Sequence, residues 1–207
     1  MSKSRYLAQA GMIAAAYATF TIICILFLGS LAWGLIQFRI SEALTILAVF
    51  TSAAVPGLSI GCFFANLIAI PLTGSGLTGL FDVFFGSLAT LLGALWCRKF
   101  RDHTGVALLG PVIANALIVP AYLPLILQGL GLYTIPFTTI DLEAFGYLFV
   151  YLFGVLCTGI GEAVVVYALG LPLLKLLRHN SFFRHYFVLD DSDEGDTRGQ
   201  QRHSTLL

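Results

Sequence analysis

Charge is missing from this chain in long blocks. Tyr6 to Phe38, Ala43 to Phe81, Val83 to Cys97 and Thr104 to Ile140 contain no Asp, Glu, Lys or Arg. After Glu143, Glu162 is the one acidic or basic side chain before Lys175. A helix needs about 20 mainly apolar residues to cross a bilayer, so the blocks hold several spans. Charged residues make up 11% of the chain, against about 25% in a soluble domain. A water-facing globule is therefore excluded. Acids and bases cancel to a formal charge of +0, which gives no case for nucleic-acid binding. Cys24, Cys62, Cys97 and Cys157 are scattered through apolar stretches, with neither disulfide nor zinc spacing.

Hydropathy, proline and glycine divide the blocks into six helices, an all-α transmembrane bundle. The first runs from about Tyr6 to Gly29 and the second from about Ser41 to Ala54. Pro56-Gly57 breaks the chain, and the third continues to about Pro71. Thr73 to Gly79 is a loop, the fourth helix covers Leu80 to Cys97, and the fifth Val106 to Leu127. The sixth runs from about Ala144 to Leu177. The second segment is short for a full span, so it is either tilted or packed deep in the bundle. The spans occupy residues 1–178. An aromatic and basic stretch at 179–189 reads as an interfacial segment, and 190–207 as a disordered acidic tail. The first apolar run exceeds the usual core of a signal peptide, so it is read as a span.

An even number of helices puts both termini on one side. That side collects Lys3, Arg5, Arg98, Lys99, Arg101, Lys175, Arg178, Arg184, Arg198 and Arg202, and Arg39 alone falls opposite. The excess predicts cytoplasmic termini.

Polar residues inside the apolar blocks are functional candidates, because an ionisable group at membrane depth costs about 2.5–3.5 kcal/mol on insertion scales. They are Gln37, Arg39, Ser41, Glu42, Asn66, Asp82, Asn115 and Glu162. Arg39 and Glu42 either form a local salt bridge or meet a ligand. Asp82 is favourable at a helix N-terminus, or serves the same ligand. Glu162 pairs with Arg39, binds a cationic or hydrogen-bond-donating solute, or carries protons. Placed on the topology, Arg39, Glu42 and Asp82 lie on the outer side, with Asp141 and Glu143. Glu162 and Asn66 lie deeper, which makes a polar funnel opening outward. Trp33, Phe38, Phe81, Phe84, Phe85 and Tyr133 are candidates to stack on a flat heterocycle. Small residues at four-residue spacing, Ala10, Ala14 and Ala18 on the first helix and Gly57, Gly61 and Ala65 on the third, suit close helix packing. The first stripe serves either the bundle itself or a partner membrane protein. No P-loop, HExxH or GxSxG motif occurs. No nucleophile and base are paired, and no catalytic, metal or cofactor residue is expected.

The segments Ile36 to Leu44, with Gln37-Phe38-Arg39 followed by Ser41-Glu42, Pro56 to Asn66, and Asp82 to Thr90 resemble the QueT family, as does the step Gly161-Glu162-Ala163. The likeness covers about Ala8 to Leu177. The family comprises substrate-binding S components of energy-coupling factor (ECF) transporters for queuosine precursors. The resemblance implies a six-helix S component in a prokaryotic plasma membrane that binds a 7-deazaguanine derivative (7-aminomethyl- or 7-cyano-7-deazaguanine, or queuine). It implies a transmembrane coupling subunit and two separate ATPase chains as partners, with Ala10, Ala14 and Ala18 as the docking surface. Two other readings stay open at this point: an S component for another vitamin or base, and a stand-alone proton-coupled carrier using Glu162.

Overall fold

The computed structural model describes residues 2–131, 133–134, 138 and 140–180. The expected interfacial segment, past Asn180, and the tail lie outside these residues. Among the described residues five helices are long and apolar enough to cross a membrane: α1 (Lys3–Leu28), α3 (Ala54–Thr73), α4 (Gly76–Lys99), α5 (Thr104–Gly129) and α6 (Tyr147–His179). Between α1 and α3 lies the shorter α2 (Ile40–Phe50). This is an all-α membrane bundle, as expected.

Small residues set the packing. A Cβ on Gly57 would sit 2.8 Å from the Ala10 carbonyl oxygen, and one on Gly61 would sit 2.7 Å from that of Ala14. Farther along, Ala69 of α3 packs with Cys24 and Ile25 of α1. The contacts rise together along both helices, so α1 and α3 run parallel. Without a hydrophobic drive between helices in lipid, such close backbone approach holds them. Gly93 against Pro111 and Gly154 against Pro120 do the same for α4–α5 and α5–α6. Ile13, Ala54, Cys97 and, at its edge, Leu177 share one core cluster. The start of α1 and the end of α6 therefore lie at the same end, where the basic residues collect.

Parallel neighbours force the chain between them to cross back. Gly29 (φ +53) ends α1, a single helical turn Ser30–Trp33 follows, and an irregular stretch leads to Arg39. Then α2 descends as seven residues of 3-10 helix, Ile40–Ile46, and four of α-helix, Leu47–Phe50. At about 2.0 and 1.5 Å per residue this reaches roughly 20 Å. At its foot the Thr51 hydroxyl donates to Gln9 Oε1 (3.0 Å), back beside the start of α1. Most of α2 is buried. Irregular backbone at membrane depth is tolerated where protein covers it. The short second segment is thus the deep-packed one of the two alternatives.

Three boundaries differ from expectation. Pro56 does not break the chain. It lies in the first turn of α3, where a missing N–H costs nothing, and the break falls at Thr51–Ala53. The turn before α4 is confined to left-handed Gly74 and Gly76, so α4 starts at Gly76 and not Leu80. A separate 3-10 turn, Leu142–Ala144, precedes α6, which starts at Tyr147.

Gly61→Leu should lower the midpoint of thermal unfolding in detergent, because overpacking against backbone costs about 1–3 kcal/mol or more. Gly11→Ala should not lower it, since nothing lies within 4 Å of a Cβ there.

Candidate functional site

Inside the bundle the polar side chains form two layers. The first is centred on Arg39, at the head of α2. Its Nη2 donates to Asp82 Oδ2 at 2.8 Å, and its Nε donates to the Ala32 carbonyl at 3.2 Å. Arg39 is 6% exposed. The Tyr122 hydroxyl of α5 donates to Asp82 Oδ1 at 2.7 Å. Asn66 Nδ2 of α3 donates to the Asp82 main-chain carbonyl at 2.8 Å. Four elements thereby meet at one residue, Asp82, two of them on its carboxylate and one on its main-chain carbonyl. Asp82 opens a π-helical segment, Asp82–Gly86, within α4, a distortion often found at functional positions.

Gly86 makes room for this layer. A Cβ there would lie 2.9 Å from Asp82 Oδ1, 3.0 Å from Asn66 Nδ2 and 3.3 Å from the Tyr122 hydroxyl. Phe81, Phe85 and Tyr122 stack beside it, with ring centroids 5.9–6.5 Å apart. A cavity of about 20 Å³ touches Arg39, Asn66, Asp82, Trp33 and Ile25. That is room for about one water.

The second layer is deeper, near the middle of α1, α5 and α6. The Tyr17 hydroxyl of α1 donates to Glu42 Oε1. Glu42 Oε2 is buried without a hydrogen-bond partner, with Cys62 and Thr90 beside the carboxylate. Glu162 Oε1 accepts from Asn115 Nδ2 at 3.3 Å, and Asn115 Nδ2 also bonds the Pro111 carbonyl at 3.1 Å. Glu162 lies within electrostatic range of Glu42 and Arg39. A second π segment, Val164–Gly170, follows two residues after it.

Gly161 joins the layers. A Cβ there would lie 2.3 Å from the Gln37 carbonyl oxygen. The irregular segment leading to Arg39 therefore lies directly on α6, one residue from Glu162. The Gln37 side chain donates to the Trp33 carbonyl at 3.2 Å. It shapes its own segment.

Of the alternatives left by the sequence, Arg39 takes neither Glu42 nor Glu162 as its ion-pair partner. It takes Asp82, because α4 presents that carboxylate at the head of α2. Asp82 is no helix-terminal charge, since α4 starts six residues earlier. The expected depth order also changes. Asn66 belongs to the Asp82 layer, and Glu42 is deeper, because the 3-10 descent lowers it about 6 Å below Arg39 over three residues. Asp141 and Glu143 stay exposed, where the Asp141 carboxylate caps the Leu142–Ala144 turn through the Glu143 N–H. Ala10 and Ala14 present backbone to Gly57 and Gly61. Gly11, Ala15 and Thr19, at four-residue spacing on α1, are exposed.

Tyr17 and Tyr122 escaped the sequence reading. Each stands well inside an apolar span, away from the interfacial belts where tyrosine is usual. A hydroxyl so placed needs a buried partner, and that was the available signal.

Removing one partner of a buried ion pair costs about 3–5 kcal/mol. Arg39→Met and Asp82→Asn should each destabilise by that order in detergent unfolding. The double variant R39M/D82N should cost less than the sum of the two singles, which the double-mutant cycle measures.

Asparagines, carboxylates and an arginine gathered at membrane depth in a bundle of apolar helices are what a transporter of polar solutes requires. No curated protein and no solved structure matches the chain. The family model described as QueT transporter matches residues 7–179, all six helices, and the chain, a multi-pass membrane protein, belongs to the QueT transporter family.

Proposed function

We propose that this chain is the ligand-capturing S component of an ATP-driven ECF importer for a 7-deazaguanine queuosine precursor. The observation that carries the reading is the two-layered polar cluster of Arg39, Asp82 and Asn66 above Glu42 and Glu162. Family membership supports the transport role, and the cluster supports a small polar ligand held within the bundle. A carboxylate accepts two N–H bonds side by side, which suits the amino and ring N–H donors of a guanine-like edge. An arginine beside it suits the ring carbonyl. Trp33, Phe81 and Phe85 supply flat apolar faces. Gln37 and Gly161 act as positioning residues for the segment that carries Arg39.

The walls stand too close for a base in this conformation. The cavity of about 20 Å³ compares with roughly 300–1,000 Å³ for ligand sites. Capture therefore includes separation of the walls, and Gly34 to Phe38, irregular backbone leading to Arg39, is the segment we assign to yield. Closure over the ligand would favour the form that docks on a transmembrane coupling subunit, with ATP hydrolysed on separate chains. On the chain's own surface, the outward face of α1 at Gly11, Ala15 and Thr19 suits that docking better than the Ala10 and Ala14 backbone already taken by α3. The basic end faces the cytoplasm and the membrane is the plasma membrane in this reading.

Binding by the purified chain to a panel of 7-deazaguanines, riboflavin and thiamine tests the ligand class. Micromolar or tighter binding confined to the 7-deazaguanines supports it, and preference for another vitamin removes it. Ala15→Leu should abolish uptake in cells and leave ligand binding within about twofold, as expected where only close helix approach is lost. Uptake that persists without the ATPases and collapses with an uncoupler would identify a proton-coupled carrier instead.

A further inference from the structure

Among the described residues the interior holds two carboxyls, Glu42 and Glu162, beyond the Arg39–Asp82 pair. Arg39 is committed to Asp82. Glu42 and Glu162 are 1% and 4% exposed, and neither has a cation at ion-pair distance among the described residues. Glu42 Oε1 accepts from Tyr17, with the Thr90 hydroxyl also against this carboxylate, and Glu162 Oε1 accepts from Asn115. Glu42 Oε2 has no hydrogen-bond partner. A carboxylate offers about four acceptor positions, and a buried one left unfilled costs free energy. Two carboxyls at this depth are neutralised either by holding protons or by positive charge brought from outside the fold.

The donors around the pair decide what kind of charge fits. No group of three or more His, Cys, Asp or Glu able to hold a metal ion occurs among the described residues. The vacant positions are acceptors, and a primary ammonium carries three donors and no acceptor. We propose that Glu42 and Glu162 form a cation subsite that receives an ammonium group of the ligand, beneath the Arg39–Asp82 pair that faces its ring. This deepens the reading above and rests on it. The ring would lie in the outer layer and its charged substituent would point toward the middle of the bundle. Tyr17 and Asn115 hold the two carboxylates in place, and Gly161 keeps the Gln37 backbone, two residues before Arg39, on α6.

The test compares two probes of the same ring, 7-aminomethyl-7-deazaguanine, a cation at neutral pH, and 7-cyano-7-deazaguanine, which is neutral. Isothermal titration of the full-length chain in detergent reads both affinities. The subsite predicts that the cation binds at least about tenfold tighter, the size of a charge-assisted hydrogen bond. Glu162→Gln and Glu42→Gln should remove most of that preference, read as the ratio of the two affinities in each variant. Thermal unfolding checks that each variant is folded, and if Glu42→Gln is not, Glu162→Gln decides alone. Equal affinities for the two probes, or variants that weaken both alike, overturn the subsite and leave the 7-deazaguanine reading standing. Binding of neither probe overturns both.

Discussion

Arg39 is a fixed positive charge placed where lipid-embedded protein rarely tolerates one. Its cost is offset because Asp82 answers it at 2.8 Å and the Ala32 carbonyl takes its Nε. Asp82 is in turn held by Tyr122 and, through its carbonyl, by Asn66. Segments far apart in sequence are thereby fixed to one another at one point. An ion pair in this setting does little for net stability compared with apolar packing, but breaking it leaves an unmet charge. The pair therefore acts as a registry device: α2, α3, α4 and α5 satisfy it together in one arrangement.

That arrangement depends on a second crossing that is not an ordinary helix. Because α1 and α3 are parallel and touch through Ala10, Ala14, Gly57 and Gly61, the chain between them is enclosed on its way back. A full α-helix of transmembrane length would need about 20 residues, and α2 has fewer. The 3-10 backbone lengthens its reach and carries Glu42 below Arg39. The polar residues of this one segment are thus spread over two depths, one paired with Asp82 and one facing Tyr17. The packing that binds α1 to α3 and the polar cluster within are two consequences of the same topology.

Much of the architecture was legible before the structure. Charge-free blocks mark spans whatever their neighbours, since a bilayer admits little else, and the basic excess marks one end. The candidate residues Arg39, Glu42, Asn66, Asp82 and Glu162 stood out because polar groups are conspicuous in apolar runs. Their pairing was not legible. Which acid meets Arg39 depends on helix rotation and on the depth at which α2 starts, and neither leaves a periodic trace in the sequence. Pro56 misled because a proline in the first helical turn and one that breaks a helix look alike along the chain. The alanine stripe was ambiguous for a similar reason. Small residues at four-residue spacing mark close approach, but not whether the approaching helix belongs to the same chain.

The sequence by itself determined that this is a membrane bundle with a handful of costly polar groups inside it, because the energetics of apolar solvent act on each residue locally. It also determined, through the Gln37 to Glu42, Pro56 to Asn66 and Asp82 to Thr90 segments, the family to which the chain belongs. Only the tertiary structure decided that Arg39 answers Asp82 and that Tyr17 and Tyr122 complete the cluster. It alone placed Glu42 and Glu162 deep in the bundle with no ion-pair partner among the described residues. Those outcomes rest on distances between segments, and such distances exist only once glycine-lined helix contacts have fixed every backbone relative to the others.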